Sequence, residues 1–328
     1  MKMMARENMK VKVDVDLRSF LQLPNGKQRQ VNVDSPVSVY FGFNQEGAMR
    51  LSFLSAIEPL KVESTANLMV SYNNDKVFGF WSHFDLIESK QETVFLSFAQ
   101  NLIEATLFCT TVEQALIAIK QRFITWKTLF KKIPTTTIPY NTIQGVYGEL
   151  LFLYRYMIPH YGVNRAIMAW SGPDSKSKDF AIDDTWFEVK TIGANTSKIH
   201  ISSISQLSSE KSGKLIVIKV EAMSDEYEND CACIAKLFDR IKEEIKEEAV
   251  EDVFYSKLSA TGVMQSDEAI NYCFSPKEEY RYVVDEIFPK ITEKNKPFSE
   301  ICDVEYDLSL NALEKYLEHQ NDIAGRIS

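Results

Sequence analysis

Residues 171–192 read SGPDSKSKDFAIDDTWFEVKTI, and they carry the clearest structural signal in the central part of the chain. Two short runs of strand-forming residues flank the pair Asp183-Asp184, which suits a two-residue turn. Counting outward from that turn predicts a hairpin in which Asp179 lies opposite Glu188. Residues directly opposite have Cβ atoms roughly 4.5–5.5 Å apart. The hairpin therefore predicts two neighbouring carboxylates.

A lysine completes this acidic patch. Side chains alternate along a strand, so Glu188 and Lys190 share one face while Phe187 and Val189 point to the other. Two like charges this close repel unless something neutralises them, and Mg²⁺ commonly sits on one or two carboxylates plus substrate phosphate. Lys190 would then orient or help to deprotonate a water beside the phosphate. An ordinary surface hairpin with a cross-strand ion pair remains an alternative interpretation, because E-x-K alone is a weak motif.

A third acid lies on a predicted helix. Residues 141–158 indicate one helix, stopped by Pro159, and Glu149 lies among its apolar residues. A carboxylate in an apolar helix is costly to bury without a partner. Glu149 therefore faces solvent, pairs with a structural arginine such as Arg155, or points into the acidic patch as a further metal ligand.

Together these elements resemble the PD-(D/E)XK nuclease superfamily, which includes many restriction endonucleases. The matching motifs are Gln144-Gly-Val-Tyr-Gly-Glu-Leu, Lys178-Asp-Phe, Phe187-Glu-Val-Lys-Thr, His200-Ile-Ser-Ser followed by Gln206-Leu, and Tyr280-Arg-Tyr with Ile287-Phe-Pro. They are most similar to a bacterial PD-(D/E)XK family associated with restriction-modification and phage-defence gene clusters. The resemblance covers about residues 125–320 and is strong from 144 to 207.

The resemblance implies a role for each site residue. Asp179 and Glu188 would be metal ligands with the Val189 carbonyl as a third, Lys190 the catalytic lysine, Glu149 the helix acid, and Gln206 a polar residue touching phosphate or the metal's water. A literal Pro173-Asp174 lies upstream, so Asp174 remains an alternative first ligand. We prefer Asp179, because the register places it opposite Glu188.

The rest of the chain predicts three regions. Residues 1–133 are β-rich and end in helices, residues 134–222 form the nuclease core, and residues 223–328 form a helical region packed on that core. Within these we expect a strand over 166–170 and a last helix over 311–320. The predicted fold class is α/β (α+β) with a mixed sheet.

Composition limits the function. The chain has 328 residues, 45% of them hydrophobic, and a net charge of -9, which by itself argues against a protein that grips nucleic acid non-specifically. Basic residues gather at 120–132 and around 176–214, so the acidic total does not exclude DNA. Five scattered cysteines, no apolar stretch long enough to span a membrane and no secretory signal favour the cytoplasm.

We therefore predict a DNA endonuclease that depends on Mg²⁺, with Mn²⁺ as a possible substitute, in a restriction or phage-defence system. Its partners would be DNA and other subunits of that system, ATPase-like or helicase-like subunits and a methyltransferase. The alternative is a non-catalytic subunit that keeps the nuclease fold to bind DNA or partner proteins, because fold does not imply function.

Overall fold

The computed structural model describes residues 15–87, 89–127, 130, 138–172, 178–223, 232–302 and 304–323. The chain forms two compact units, Met1–Thr135 and Thr136–Ser328. The second unit contains both regions that the sequence predicts on either side of residue 223.

The first unit is built on an antiparallel five-stranded sheet. Its strands are β1 (Gln28–Val31), β2 (Ser38–Phe43), β3 (Met49–Ser55), β4 (Leu68–Asp75) and β5 (Gly79–Leu86), in the order β1-β2-β3-β5-β4. Helices α1 (Glu92–Leu107) and α2 (Val112–Trp126) follow the sheet. The core is aromatic: Phe84 of β5 packs against Phe98 of α1 and Phe123 of α2 with ring centroids 5.9 and 5.7 Å apart.

The second unit is built on a mixed sheet, which confirms the predicted fold class. Its strands are β6 (Phe180–Ile182), β7 (Thr185–Gly193), β8 (Lys198–Ile201), β9 (Gly213–Met223), β10 (Ala232–Cys233), β11 (Cys273–Val284), β12 (Tyr306–Ser309) and β13 (Leu317–Asp322). Its helices are α3 (Tyr140–Phe152), α4 (Ile158–Tyr161), α5 (Val163–Ala169), α6 (Ile234–Glu244), α7 (Glu248–Ala260), α8 (Asp267–Ile270) and α9 (Leu310–Leu313). The sheet order is β10-β11-β9-β7-β6, with β13 paired to β11; β7 and β9 are parallel, and β8 and β12 form a separate pair.

The hairpin register agrees with the sequence. Phe180 pairs with Phe187, and Ile182 pairs with Thr185, so Asp183 and Asp184 form the turn. Asp183 has a φ of 51°, a left-handed conformation that aspartate tolerates better than most residues. Strand β6 begins one residue after Asp179, so the aspartate lies just beyond the ladder.

Two predicted elements near the hairpin differ from the structure. The expected strand over 166–170 is helix α5, and only Trp170 forms an isolated bridge, to Phe180. Five apolar residues suit a buried helix as well as a strand, so periodicity could not separate them. The predicted helix over 141–158 also continues through Pro159 into α4, by way of a π-helical turn at Leu153–Met157. Such a wide turn accommodates a proline, which lacks the N–H and crowds the carbonyl four residues earlier.

The C-terminal region is not purely helical, as the sequence predicted, but a mixture of helices and strands. It contains α6 and α7 but also supplies β11, a long strand inside the sheet, which Pro276 and several charged residues disguise in the sequence. The predicted last helix over 311–320 is helical only at its start, because Leu317 begins β13. Edge pairing with β11 therefore overrides the helical pattern there.

A close helix–strand contact positions the candidate site. A Cβ atom at Gly148 of α3 would collide with the side chain of Thr191 on β7. Glycine thus allows α3 to approach the sheet closely. Glu149, the next residue, is held beside the strand that carries Glu188 and Lys190.

Candidate active site

Glu188 and Lys190 form an ion pair on β7. Lys190 Nζ lies 2.9 Å from Glu188 Oε1, and the side chains are 18% and 2% exposed respectively. The shared face expected from strand alternation is thus observed. A carboxylate this deeply buried is stabilised by its lysine partner, whose side chain is only partly buried.

The side chain of Asp179 also contacts β7. Its Oδ2 accepts a hydrogen bond of 2.7 Å from the backbone N–H of Val189. The carboxylate therefore takes the place of a strand partner for Val189, one residue before β6 begins. Since the N–H and C=O of one residue point to the same side of a strand, the Val189 carbonyl lies on the edge of β7 that faces Asp179.

Glu149 is held by a tryptophan. The indole N–H of Trp170 donates a hydrogen bond of 2.7 Å to Glu149 Oε2. Trp170 is completely buried at the end of α5. Lys257 of α7 fixes this end, because its ammonium donates to the carbonyls of Ile167 (2.9 Å), Met168 (3.1 Å) and Trp170.

Gln206 binds the lysine from the other side. It lies in the 3-10 turn Ile204–Gln206, and its Oε1 accepts a hydrogen bond of 3.0 Å from Lys190 Nζ. The same oxygen accepts a second bond of 2.9 Å from the backbone N–H of Ser202. Lys190 is therefore held between Glu188 and Gln206.

The three carboxyl groups repel one another. Burial, and then the charge of Asp179, raise the pKa of both Glu149 and Glu188 to about 8, although the Trp170 bond opposes this for Glu149 and Lys190 opposes it for both. Burial also raises the pKa of Asp179, against the Val189 hydrogen bond. Because the fold disfavours three ionised carboxylates side by side, a bound cation would stabilise the cluster.

The donor set suits a hard divalent cation. The carboxylates of Asp179 and Glu188 supply oxygen ligands, which Mg²⁺ prefers, and their pKa values show that bare charge is poorly accommodated. In the part of the chain that the structure describes, no three His, Cys, Asp or Glu side chains form a ready-made metal cage. Mg²⁺ typically needs only one or two carboxylates and completes its shell with water and substrate, so the residues fit that ion.

The structure thus brings together Glu149, Asp179, Glu188, Lys190 and Gln206, the residues that the sequence singles out. The alternative first ligand, Asp174, lies outside the described residues. Sequence reasoning missed Trp170, which it assigned to a strand, and the contacts of Lys178 and Lys257. No local pattern identifies a lysine that binds backbone carbonyls of another segment.

Comparison with known proteins identifies one family. The family model described as "Putative PD-(D/E)XK family member" (DUF4420) matches residues 7–311. No curated protein and no solved structure matches the chain. Among the described residues, no helix is both long and apolar enough to cross a membrane.

Proposed function

The chain belongs to this DUF4420 family of PD-(D/E)XK proteins, and on that basis we propose that it is a Mg²⁺-dependent nuclease that hydrolyses phosphodiester bonds of DNA. The observation that carries the proposal is the convergence of Glu149, Asp179 and Glu188 around Lys190. The PD-(D/E)XK superfamily consists largely of nucleases, and these nucleases generally use divalent metals. Mn²⁺ is the natural substitute, because it shares the preference for oxygen ligands.

Asp179 and Glu188 would hold the cation, with the Val189 carbonyl as a third ligand. When bound, the cation would supply positive charge at the scissile phosphate and make water a stronger acid. Its charge would also relieve the repulsion that raises the pKa values of the two carboxyl groups.

Lys190 would place the attacking water beside the phosphate. Two of its donors are directed to Glu188 and Gln206, and its side chain is partly exposed, so a third donor would be left for water or a phosphate oxygen. Burial and the charge of Asp179 raise the pKa of Glu149 to about 8, so Glu149 would take up or release a proton during hydrolysis. Positioning and charge stabilisation would supply most of the rate.

A cleavage assay tests this proposal. Plasmid and phage DNA are incubated with Mg²⁺ or Mn²⁺ and the wild type, Glu188→Ala, Lys190→Ala or the control Lys214→Ala. Lys214 is also a strand lysine with a carboxylate partner, but its ammonium binds Glu318 of β13 at 2.6 Å. We expect cleavage by the wild type and the control only.

Two outcomes contradict the proposal in different ways. Equal cleavage by the wild type and both site variants would show that the site is misassigned. Tight DNA or partner binding without any cleavage by the wild type would favour the non-catalytic subunit.

We further propose that the nuclease acts in a restriction or phage-defence system, on the strength of the family resemblance. Its net charge of -9 suits a protein that grips DNA weakly by itself and is assisted by other subunits, such as an ATPase-like or helicase-like motor and a methyltransferase. Co-purification with the neighbouring gene products, and stronger DNA binding by the complex than by the chain alone, would support this arrangement.

A further inference from the structure

The ammonium group of Lys178 binds carbonyl oxygens of the protein backbone. Its Nζ donates hydrogen bonds to the carbonyl oxygens of Ser205 (2.6 Å), Gln206 (2.7 Å) and Ser208 (3.2 Å). An ammonium has three donors, so these three bonds occupy all of them. The ammonium also lies 3.9 Å from the centroid of the Trp186 ring. The side chain is therefore held from several directions.

The three carbonyls belong to the segment that presents Gln206. This segment is the 3-10 turn Ile204–Gln206 and the residues directly after it, with only Ile204 and Leu207 buried as apolar anchors. The last carbonyls of a helical turn lack partners inside the turn. Lys178 supplies those partners and thereby fixes the turn.

The contact continues to the candidate catalytic lysine. Gln206 Oε1 accepts a hydrogen bond of 3.0 Å from Lys190 Nζ. Lys178 is also the residue next to Asp179 in the chain. One side chain thus ties the strand end that carries Asp179 to the turn that holds Lys190.

We infer that Lys178 is a positioning residue for the nuclease: it holds the Gln206 turn against the Asp179 segment and, through Gln206, sets the position of Lys190. The inference rests on the proposed function for its effect on cleavage, but the contact itself does not. The same geometry argues against a phosphate-binding role, because no donor of the Lys178 ammonium is left for DNA.

Lys178→Met tests the inference, because methionine keeps an apolar stem on Trp186 and removes the three donors. Lys178→Arg restores charge and donors. Lys211→Met is the matched control: its ammonium binds Asp184 at 2.7 Å at the far end of the same hairpin. The single-turnover cleavage rate of Lys178→Met should fall about 10- to 100-fold, as is usual when a supporting residue is lost. The control should retain the wild-type rate, and the arginine variant should recover most of the loss.

A double-mutant cycle with Gln206→Ala separates positioning from general destabilisation. If Lys178 acts through Gln206, then Lys178→Met should lower the rate by less than about 3-fold in the Gln206→Ala background. If Lys178→Met and Gln206→Ala each lower the cleavage rate by its own factor, and the two factors multiply in the double variant, the inference is overturned. An unchanged rate in Lys178→Met would also overturn it, as would a raised KM for DNA with a shallower salt dependence, which indicates a phosphate contact.

Hydrogen–deuterium exchange gives a readout that needs no cleavage. Amides in residues 202–208 should exchange at least about 10-fold faster in Lys178→Met than in the wild type, because opening of the turn becomes easier. Those amides should exchange as in the wild type in Lys211→Met. Unchanged exchange in Lys178→Met would overturn the inference even in an active enzyme. An inactive wild type with faster exchange in the variant would refute only the proposed function.

Discussion

Replacing Glu188 by glutamine should stabilise the metal-free protein at neutral and alkaline pH and abolish its response to divalent cations. Glu188 is 2% exposed and lies near Asp179. Burial and this like charge raise the pKa of the carboxyl group from 4.5 to about 8. Glutamine has nearly the same shape but never ionises, and its carbonyl oxygen can still accept a hydrogen bond from Lys190.

The magnitude follows from proton linkage. Glu188 binds its proton more tightly in the folded protein than in the unfolded chain, so its contribution is fully present below pH 4.5 and is lost as the pH rises to about 8. At about 1.4 kcal/mol per pH unit, the wild type loses roughly 3 kcal/mol by pH 7 and about 5 kcal/mol by pH 9. The variant avoids this loss, so its Tm at pH 7 should be about 6–12 °C higher.

Unfolding in EDTA between pH 5 and pH 9, followed by tryptophan fluorescence, measures this difference. The advantage of Glu188→Gln should be below about 1 kcal/mol at pH 5 and grow with pH. Glu279→Gln is the matched control, because Glu279 is also a buried strand glutamate with a cation two residues on. Its partner is the guanidinium of Arg281, whose Nε and Nη2 both lie 2.6 Å from Glu279 Oε1. The free energy of unfolding of Glu279→Gln should be about 1–3 kcal/mol lower than that of the wild type, a change opposite in sign to that of Glu188→Gln.

Adding Mg²⁺ completes the test. At about 100 times its dissociation constant, Mg²⁺ should stabilise the wild type by about 2.7 kcal/mol and leave Glu188→Gln unchanged. A wild type more stable than Glu188→Gln in EDTA at pH 9 would refute the reasoning. It would mean that the Lys190 ion pair outweighs burial and repulsion at this carboxylate.

Four other substitutions have definite expected outcomes. Trp170→Phe removes a hydrogen bond that lowers the pKa of Glu149, so the pKa should rise further and the limb of the cleavage pH–rate profile that reports Glu149 should move up by about one pH unit. Gly148→Ala places a methyl group against a threonine of β7 and should cost about 1–3 kcal/mol in urea unfolding; an unchanged midpoint would contradict the tight helix–strand contact. Asp179→Asn should lower cleavage by at least about 100-fold while Asp174→Asn leaves it intact, and the reverse result would make Asp174 the first metal ligand.

Much of the site could be predicted from the sequence because its signals are local. A two-residue turn at Asp183-Asp184 fixes which residues of the hairpin lie opposite one another, and the register is observed. Strand alternation then places Glu188 and Lys190 on one face, where they form an ion pair. These features depend only on neighbours a few residues away, so no knowledge of the rest of the fold was needed.

Other elements depended on partners far away in the chain. Residues 166–170 are apolar enough for either a strand or a helix, and packing in the second unit selects helix α5 for all but Trp170. Strand β11 carries a proline and charged residues that weaken its strand pattern, yet β9 pairs with it along most of its length. Backbone pairing inside a sheet outweighs local preference in such cases.

Local patterns in the sequence are enough to identify the candidate site residues and to show which of them share the hairpin. The surroundings of these residues depend on the fold. Glu149 could have faced solvent or Arg155, but Trp170 binds it, and the charge of Asp179 raises its pKa. The reason is physical: the burial and repulsion that alter a carboxyl group, and the carbonyls that can bind a lysine such as Lys178, come from segments that only folding brings within a few ångströms.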